Sequence, residues 1–111
     1  MTWYEKIIAA HTAVTDQVSH LGRLPSERYF VWQEDGRNDL IADGIHVDGA
    51  VTGSTDLFTK TEFDPWAEEF QRAMDALGIA WSFSSFQREE DTGFLHYEWN
   101  WEALGDGEDH V

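Results

Sequence analysis

Apolar residues recur along this chain with two periods, and the switch between them outlines the fold. Trp3, Ile7, His11, Val14, Val18 and Leu21 follow at three- and four-residue steps, with Ile8 and Ala10 widening the stripe. That is one face of an amphipathic helix. Thr2 ahead of Glu5 has capping-box spacing, so the helix is expected to start at Trp3. Gly22 is its expected stop, and Leu24-Pro25 prevents continuation. Residues 29–34 (YFVWQE) are rich in strand formers, and Asp35-Gly36 predicts a turn, with a short strand over 39–42 returning from it. Asp43-Gly44 and Asp48-Gly49 bracket a loop of open conformation. Residues 50–60 (AVTGSTDLFTK) read as a long strand in which Gly53 marks a bulge or a close approach.

Asp64-Pro65 is the clearest helix start: an acidic N-cap followed by proline at the first helical position. Trp66, Phe70, Met74 and Leu77 share one face of that helix, and Gly78 ends it. Residues 79–101 then alternate. Ile79, Trp81 and Phe83 lie on one side before a polar break at 89–93. Leu95, Tyr97, Trp99 and Trp101 oppose Phe94, His96, Glu98 and Asn100 after it. Two such runs joined by a short polar loop predict a hairpin. Its aromatic face is most simply core. The order is α-β-β-(β)-α-β-β, an α+β fold with an antiparallel or mixed sheet of four to five strands and two helices packed on one face. A single domain is expected over residues 1–102, followed by an acidic flexible tail, 103–111.

Charge narrows the function. Seven Lys plus Arg against 22 Asp plus Glu give a formal net charge of −15 over 111 residues. Such a surface repels phosphate backbones and anionic membranes, so neither direct nucleic-acid nor membrane binding is expected. Nothing approaches the ~18 consecutive apolar residues of a spanning helix, and Glu5 and Lys6 interrupt the apolar run that a signal peptide needs. There are no cysteines, hence no disulfide, thiolate site or cysteine nucleophile.

Candidate chemistry is thin. Asp43, His46 and Asp48, flanked by glycines, are the best metal candidates by donor type, but their spacing fits no calcium loop, and a solvated polar loop is the preferred reading. Glu89, Glu90 and Asp91 sit at the hairpin tip, a solvated turn able to meet a basic partner. His11 lies on an apolar stripe and reads as a core or interface histidine satisfied by one hydrogen bond, ahead of a ligand or proton carrier. The serines at 54, 82, 84 and 85 lack a nucleophile-elbow pattern. No catalytic residues, cofactor or enzymatic activity are expected. Six tryptophans are many for one small core, so Trp32, Trp66 and Trp101 are candidate protein-interface residues, with the acidic trio 89–91 beside them.

The strings YFVWQEDG, GAVTGSTDLFTK, FDPWAEEFQRAMDALGIAW and EEDTGFLHYEWNW, in this order of elements, resemble the tail-completion or tail-terminator (head–tail joining) proteins of long-tailed bacteriophages and prophages. The resemblance covers about residues 1–102. It implies a structural virion subunit that assembles with itself as a ring, commonly a hexamer. That ring would cap the head-proximal end of the tail tube and join it to the head–tail connector, in the tail or neck of the virion and in the host cytoplasm during assembly. It transfers no catalytic residues, and DNA would pass through the ring without being bound. A second class of function, an acidic DNA mimic that inhibits a basic host protein, shares the charge but needs its acids in a phosphate-like array. A small metal-dependent enzyme would need an ordered site at Asp43, His46 and Asp48.

Overall fold

The computed structural model describes residues 1–42 and 45–106, with side chains for all of these except 38–42 and 45–48. Helix α1, Trp3–Thr12, opens on the expected capping box: Thr2 Oγ1 accepts from the Glu5 N–H at 3.1 Å and Glu5 Oε1 accepts from the Thr2 N–H at 2.9 Å. It ends nine residues short of the apolar stripe's last member. Thr12, Val14 and Thr15 are β-branched, and Thr15 Oγ1 accepts from the Gln17 N–H at 3.1 Å, a local bond that competes with helix continuation. Val18–His20 instead forms strand β1, parallel to the next strand with Val18 opposite Phe30. Val14 and Val18 still pack against the core, so a turn and a strand reproduce the spacing that mimicked a longer helix.

Strand β2 runs from Arg28 to Ala42 and strand β3 from Ile45 to Thr59. The turn expected at Asp35-Gly36 is a bulge inside β2: Glu34 pairs with Gly53 and Gly36 with Thr52, with a register shift between them. One strand therefore replaces the predicted strand, turn and return strand, and β3 begins five residues before the expected Ala50. Helix α2, Pro65–Ala76, starts where expected, with Asp64 accepting from the Trp66 N–H at 2.9 Å. Gly78, at φ +70°, follows its end, the left-handed position that glycine occupies without steric cost. Strands β4, Ala80–Arg88, and β5, Leu95–Ala103, form the predicted hairpin. The sheet order is β1-β2-β3-β5-β4. The fold is α+β, a mixed five-stranded sheet with two helices.

The sheet pairings stack side chains in rows on the helix-covered face. One row is Phe30, Leu57, Tyr97 and Phe86; the next is Trp32, Thr55, Trp99 and Phe83. Phe70 of α2 wedges between Phe30 (centroids 5.1 Å), Trp99 (5.2 Å) and His11 of α1 (4.6 Å). Gly53 is the close approach anticipated from sequence. A Cβ there would stand 2.4 Å from both the Gln33 carbonyl oxygen and Trp101 Cη2. The missing side chain is the space through which the Trp101 indole lies across β3.

The tail expected from residue 103 is held further than predicted. Ala103 pairs with Val51. Asp106 bonds the N-terminal ammonium at 2.8 Å and Lys6 at 3.0 Å, because a carboxylate here meets two of the chain's few cations. Residues 107–111 lie outside the described residues.

Candidate assembly surfaces

β4 is an edge strand with an unusual surface. Its nine residues, AWSFSSFQR, contain one charged side chain, Arg88, in a chain that is 26% charged. Edge strands are normally guarded by charges or proline; β4 has only a bulge, between Phe83 and Ser85. That bulge decides which way the aromatics point. Strict alternation would put Phe83 and Phe86 on opposite faces. The extra residue realigns them, so that Phe83 pairs with Trp99 and Phe86 with Tyr97, both on the helix side. The two rings rest on β5, Phe86 against Tyr97 at 4.8 Å and Phe83 against Trp99 at 5.8 Å. They remain 47% and 51% exposed, Phe83 and Phe86 respectively. The core expectation for Phe83 is thus corrected: α2 reaches the outermost strand at Trp81 but leaves Phe83 and Phe86 half-exposed.

Phe63 adds a third exposed ring. It is 93% exposed at φ +51°, a left-handed conformation that costs a bulky residue roughly 1–2 kcal/mol. The neighbouring Asp64 fixes it there. The Asp64 carboxylate is fully buried and accepts from Thr59 Oγ1 at 2.7 Å, from Arg28 Nε at 2.9 Å, from a second Arg28 nitrogen and from the Trp66 N–H. Burial alone would raise its pKa; the bonds from Arg28, Thr59 and the Trp66 N–H outweigh that and hold it below the usual carboxylate range. The Arg28 guanidinium also lies 3.8 Å from the Trp66 ring centre. This lock joins the start of β2, the end of β3 and the start of α2. A second apolar surface lies on α1 and after β5, where Met1, Tyr4, Ile8 and Leu104 are exposed.

The tryptophans named from sequence fall elsewhere. Trp32 is 5% exposed and Trp101 2%, so both belong to the core. Trp66 is half-buried under Arg28. Glu89, Glu90 and Asp91 stand at the β4–β5 connection, as expected; Glu90 and Asp91 are exposed and Glu89 is half-buried. Asp43 and the side chains of His46 and Asp48 lie outside the described residues, although His46 and Asp48 are in β3 by backbone. Among the described residues, no three His, Asp or Glu side chains converge as a metal site. The sequence signal that could have found Phe83 and Phe86 is the uncharged run 80–87; periodicity alone could not foresee the bulge.

His11 is a core residue, as read from the helix stripe, with two bonds instead of one. Nδ1 is 2.7 Å from the Ile7 carbonyl oxygen and Nε2 is 3.0 Å from Thr55 Oγ1, to which Trp101 Nε1 also donates at 3.0 Å. A carbonyl only accepts, so Nδ1 carries the proton, and Nε2 of the neutral ring accepts from the Thr55 hydroxyl. Burial lowers the His11 pKa to about 4, against the partial compensation of the Ile7 bond. The opposite face of the sheet mixes polar residues with a buried aromatic pair, Tyr29 and Phe58. There His96 Nε2 bonds Asp56 at 2.8 Å, and this bond raises the histidine's pKa.

No protein-family model matches this chain, and no curated protein matches it. A chain of a solved structure described as "Virion of native gene transfer agent (GTA) particle" shares its fold, with a TM-score of 0.55 and 12% sequence identity. The match covers 96% of this chain and 92% of that one.

Proposed function

We propose that this chain is a structural subunit of a phage-like particle, and specifically a tail-terminator or tail-completion protein. It would form a ring, six copies by the family pattern, at the head-proximal end of the tail, where it meets the tail-tube protein and the head–tail connector. The observation that carries the reading is the shared fold with a virion component over nearly the whole of both chains. Two further features support it. The exposed rings of Phe63, Phe83 and Phe86 and the apolar surface of α1 are different patches on one subunit, as a head-to-tail ring contact requires. And the chain's net charge of −15 suits a conduit past which DNA slides without adhering. The role is structural, with no enzymatic step.

Size-exclusion light scattering at low and high salt, followed by electron microscopy of the protein mixed with isolated tail tubes, tests this. A closed oligomer that strengthens as salt rises, seen at one end of each tube, is expected, because salt screens repulsion between like-charged copies within a Debye length of about 8 Å. Decoration along the tube, or none, would refute it. Tight binding to a basic DNA-processing enzyme would instead favour a charge mimic.

A further inference from the structure

Among the described residues both flanks of the sheet end in strand edges that lack a neighbour, and their directions match. The β2–β3, β3–β5 and β5–β4 pairs are all antiparallel, so β2 and β4 run in opposite senses on opposite sides. On the β4 side the outer edge is bare along Ala80–Arg88. On the other side β1 covers β2 only from Phe30 to Trp32. Among the described residues no strand pairs with that side of β2 from Gln33 onward.

We propose that β4 of one copy adds antiparallel to the outer edge of β2 of a second copy, beyond Trp32, burying Phe83 and Phe86 in the contact. The inference rests on the ring-subunit reading and supplies its contact surface. Three observations argue for a second copy as the occupant. Copies related by a near-translation bring a descending β4 beside an ascending β2, which continues the sheet's own alternation. Two chains of net charge −15 can meet closely only where few acids face one another, and β4 carries no acidic residue to set against Glu34, Asp35 and Asp39 of β2. Antiparallel addition also sets the Arg88 end of β4 beside Glu34 and Asp35, which are exposed while bonding His20 and Thr52 of their own chain.

The geometry adds a stagger. Through the pairings Ala80–Glu102–Thr52–Gly36 and Arg88–Leu95–Thr59–Arg28, β4 is level with residues 28–36 of its own β2. The free stretch lies further along, so successive copies must shift along the strands. A shift of that kind is what closing a sheet on itself requires. The competing arrangement pairs β4 with β4 about a two-fold axis. It covers one edge and leaves β2 bare in both copies.

The chain has no cysteine, so introduced thiols report cleanly. Gln33→Cys and Gln87→Cys in one chain stand three strand spacings apart across the sheet and four residues apart along it, because Gln87 is level with Tyr29, a separation of about 20 Å, beyond the reach of a shorter bismaleimide. Cross-linking of this double variant, free and on isolated tails, is expected to give a ladder ending in a closed ring. Either single variant alone should give monomers, and a mixture of the two single variants dimers only. Dimers from Gln87→Cys alone, or no ladder from the double variant, would overturn the contact. If such a result comes with rings still seated on tail ends, the particle reading stands and this contact falls; absence of rings as well sinks both. Phe83→Ser with Phe86→Ser should weaken association more than tenfold while circular dichroism and Tm show an intact subunit. Unweakened association would also overturn it.

Discussion

Lowering the pH should destabilise this subunit well before its carboxylates protonate, because of one buried imidazole. His11 is fully enclosed by Ile7, Thr55, Phe30 and Phe70 and has a folded pKa of about 4, against 6.5 unfolded. Above pH 6.5 both states hold the neutral ring and the residue contributes no pH dependence. Between 6.5 and 4 the unfolded chain takes up a proton that the folded chain refuses, so stability falls by up to 1.36 kcal/mol per pH unit. From pH 7 to pH 5 the loss is about 2 kcal/mol, or roughly 8 °C in Tm for a domain of this size. Below pH 4 the contribution levels off. His96 works in the opposite sense: Asp56 raises its pKa, so its contribution is present at low pH and fades as pH rises through the folded value. The clean measurement is therefore a difference. Urea unfolding of the wild type and of His11→Gln, followed by tryptophan fluorescence at pH 7, 6 and 5 and at one protein concentration, cancels the groups the two share. The stability gap should narrow by about 2 kcal/mol on acidification. A gap independent of pH, or an NMR titration placing His11 near 6.5, would refute the enclosed neutral imidazole.

Two other substitutions probe the frame. Arg28→Met removes the partner of the buried Asp64 carboxylate and should cost about 3–5 kcal/mol at pH 7 in chemical denaturation. Asp64 has a depressed pKa, so its own contribution is present above the unfolded carboxylate value and is lost as pH falls through the folded one; the Arg28→Met penalty should shrink in that acid range. Gly53→Ala puts a methyl 2.4 Å from Trp101 and from the Gln33 carbonyl and should cost about 3 kcal/mol. Gly22→Ala, which meets nothing closer than 3.9 Å, should change Tm little.

The sequence made the layer architecture legible where two local signals agreed. Thr2 with Glu5 and Asp64 with Pro65 start both helices where periodicity also starts them, and both capping bonds form. The misreadings arose where one signal stood alone. The stripe through Val18 and Leu21 had spacing but β-branched residues, and the chain took strand geometry over Val18–His20 and bent at Leu21, φ +76°. Asp35-Gly36 had turn chemistry, yet the strands on either side continue in register with β3 and absorb it as a bulge. For the candidate surface, tryptophan count was the wrong guide. Indoles are large enough to be most useful inside this small sheet. Trp81, Trp99 and Trp101 place their N–H groups on Asp75, Gln71 and Thr55, which satisfies the polar atom at each site.

That division of labour bears on how an acidic chain can assemble at all. The subunit's stability is internal: the lock around Asp64, the His11–Thr55–Trp101 chain and the Phe70 wedge need no partner. What is left outside includes phenylalanine, on an edge strand without acids and beside a strained turn, and the apolar patch of Met1, Tyr4, Ile8 and Leu104. Attraction between copies must then come from apolar area and strand pairing confined to a few places, while the remaining acids set a repulsion that salt relieves. Such a surface discriminates. A copy that approaches along β4 meets uncharged backbone edge and exposed rings, whereas much of the remaining surface carries carboxylates. If the proposed ring forms, net charge, which reads from composition as an obstacle to self-association, would act to disfavour contacts other than the proposed one.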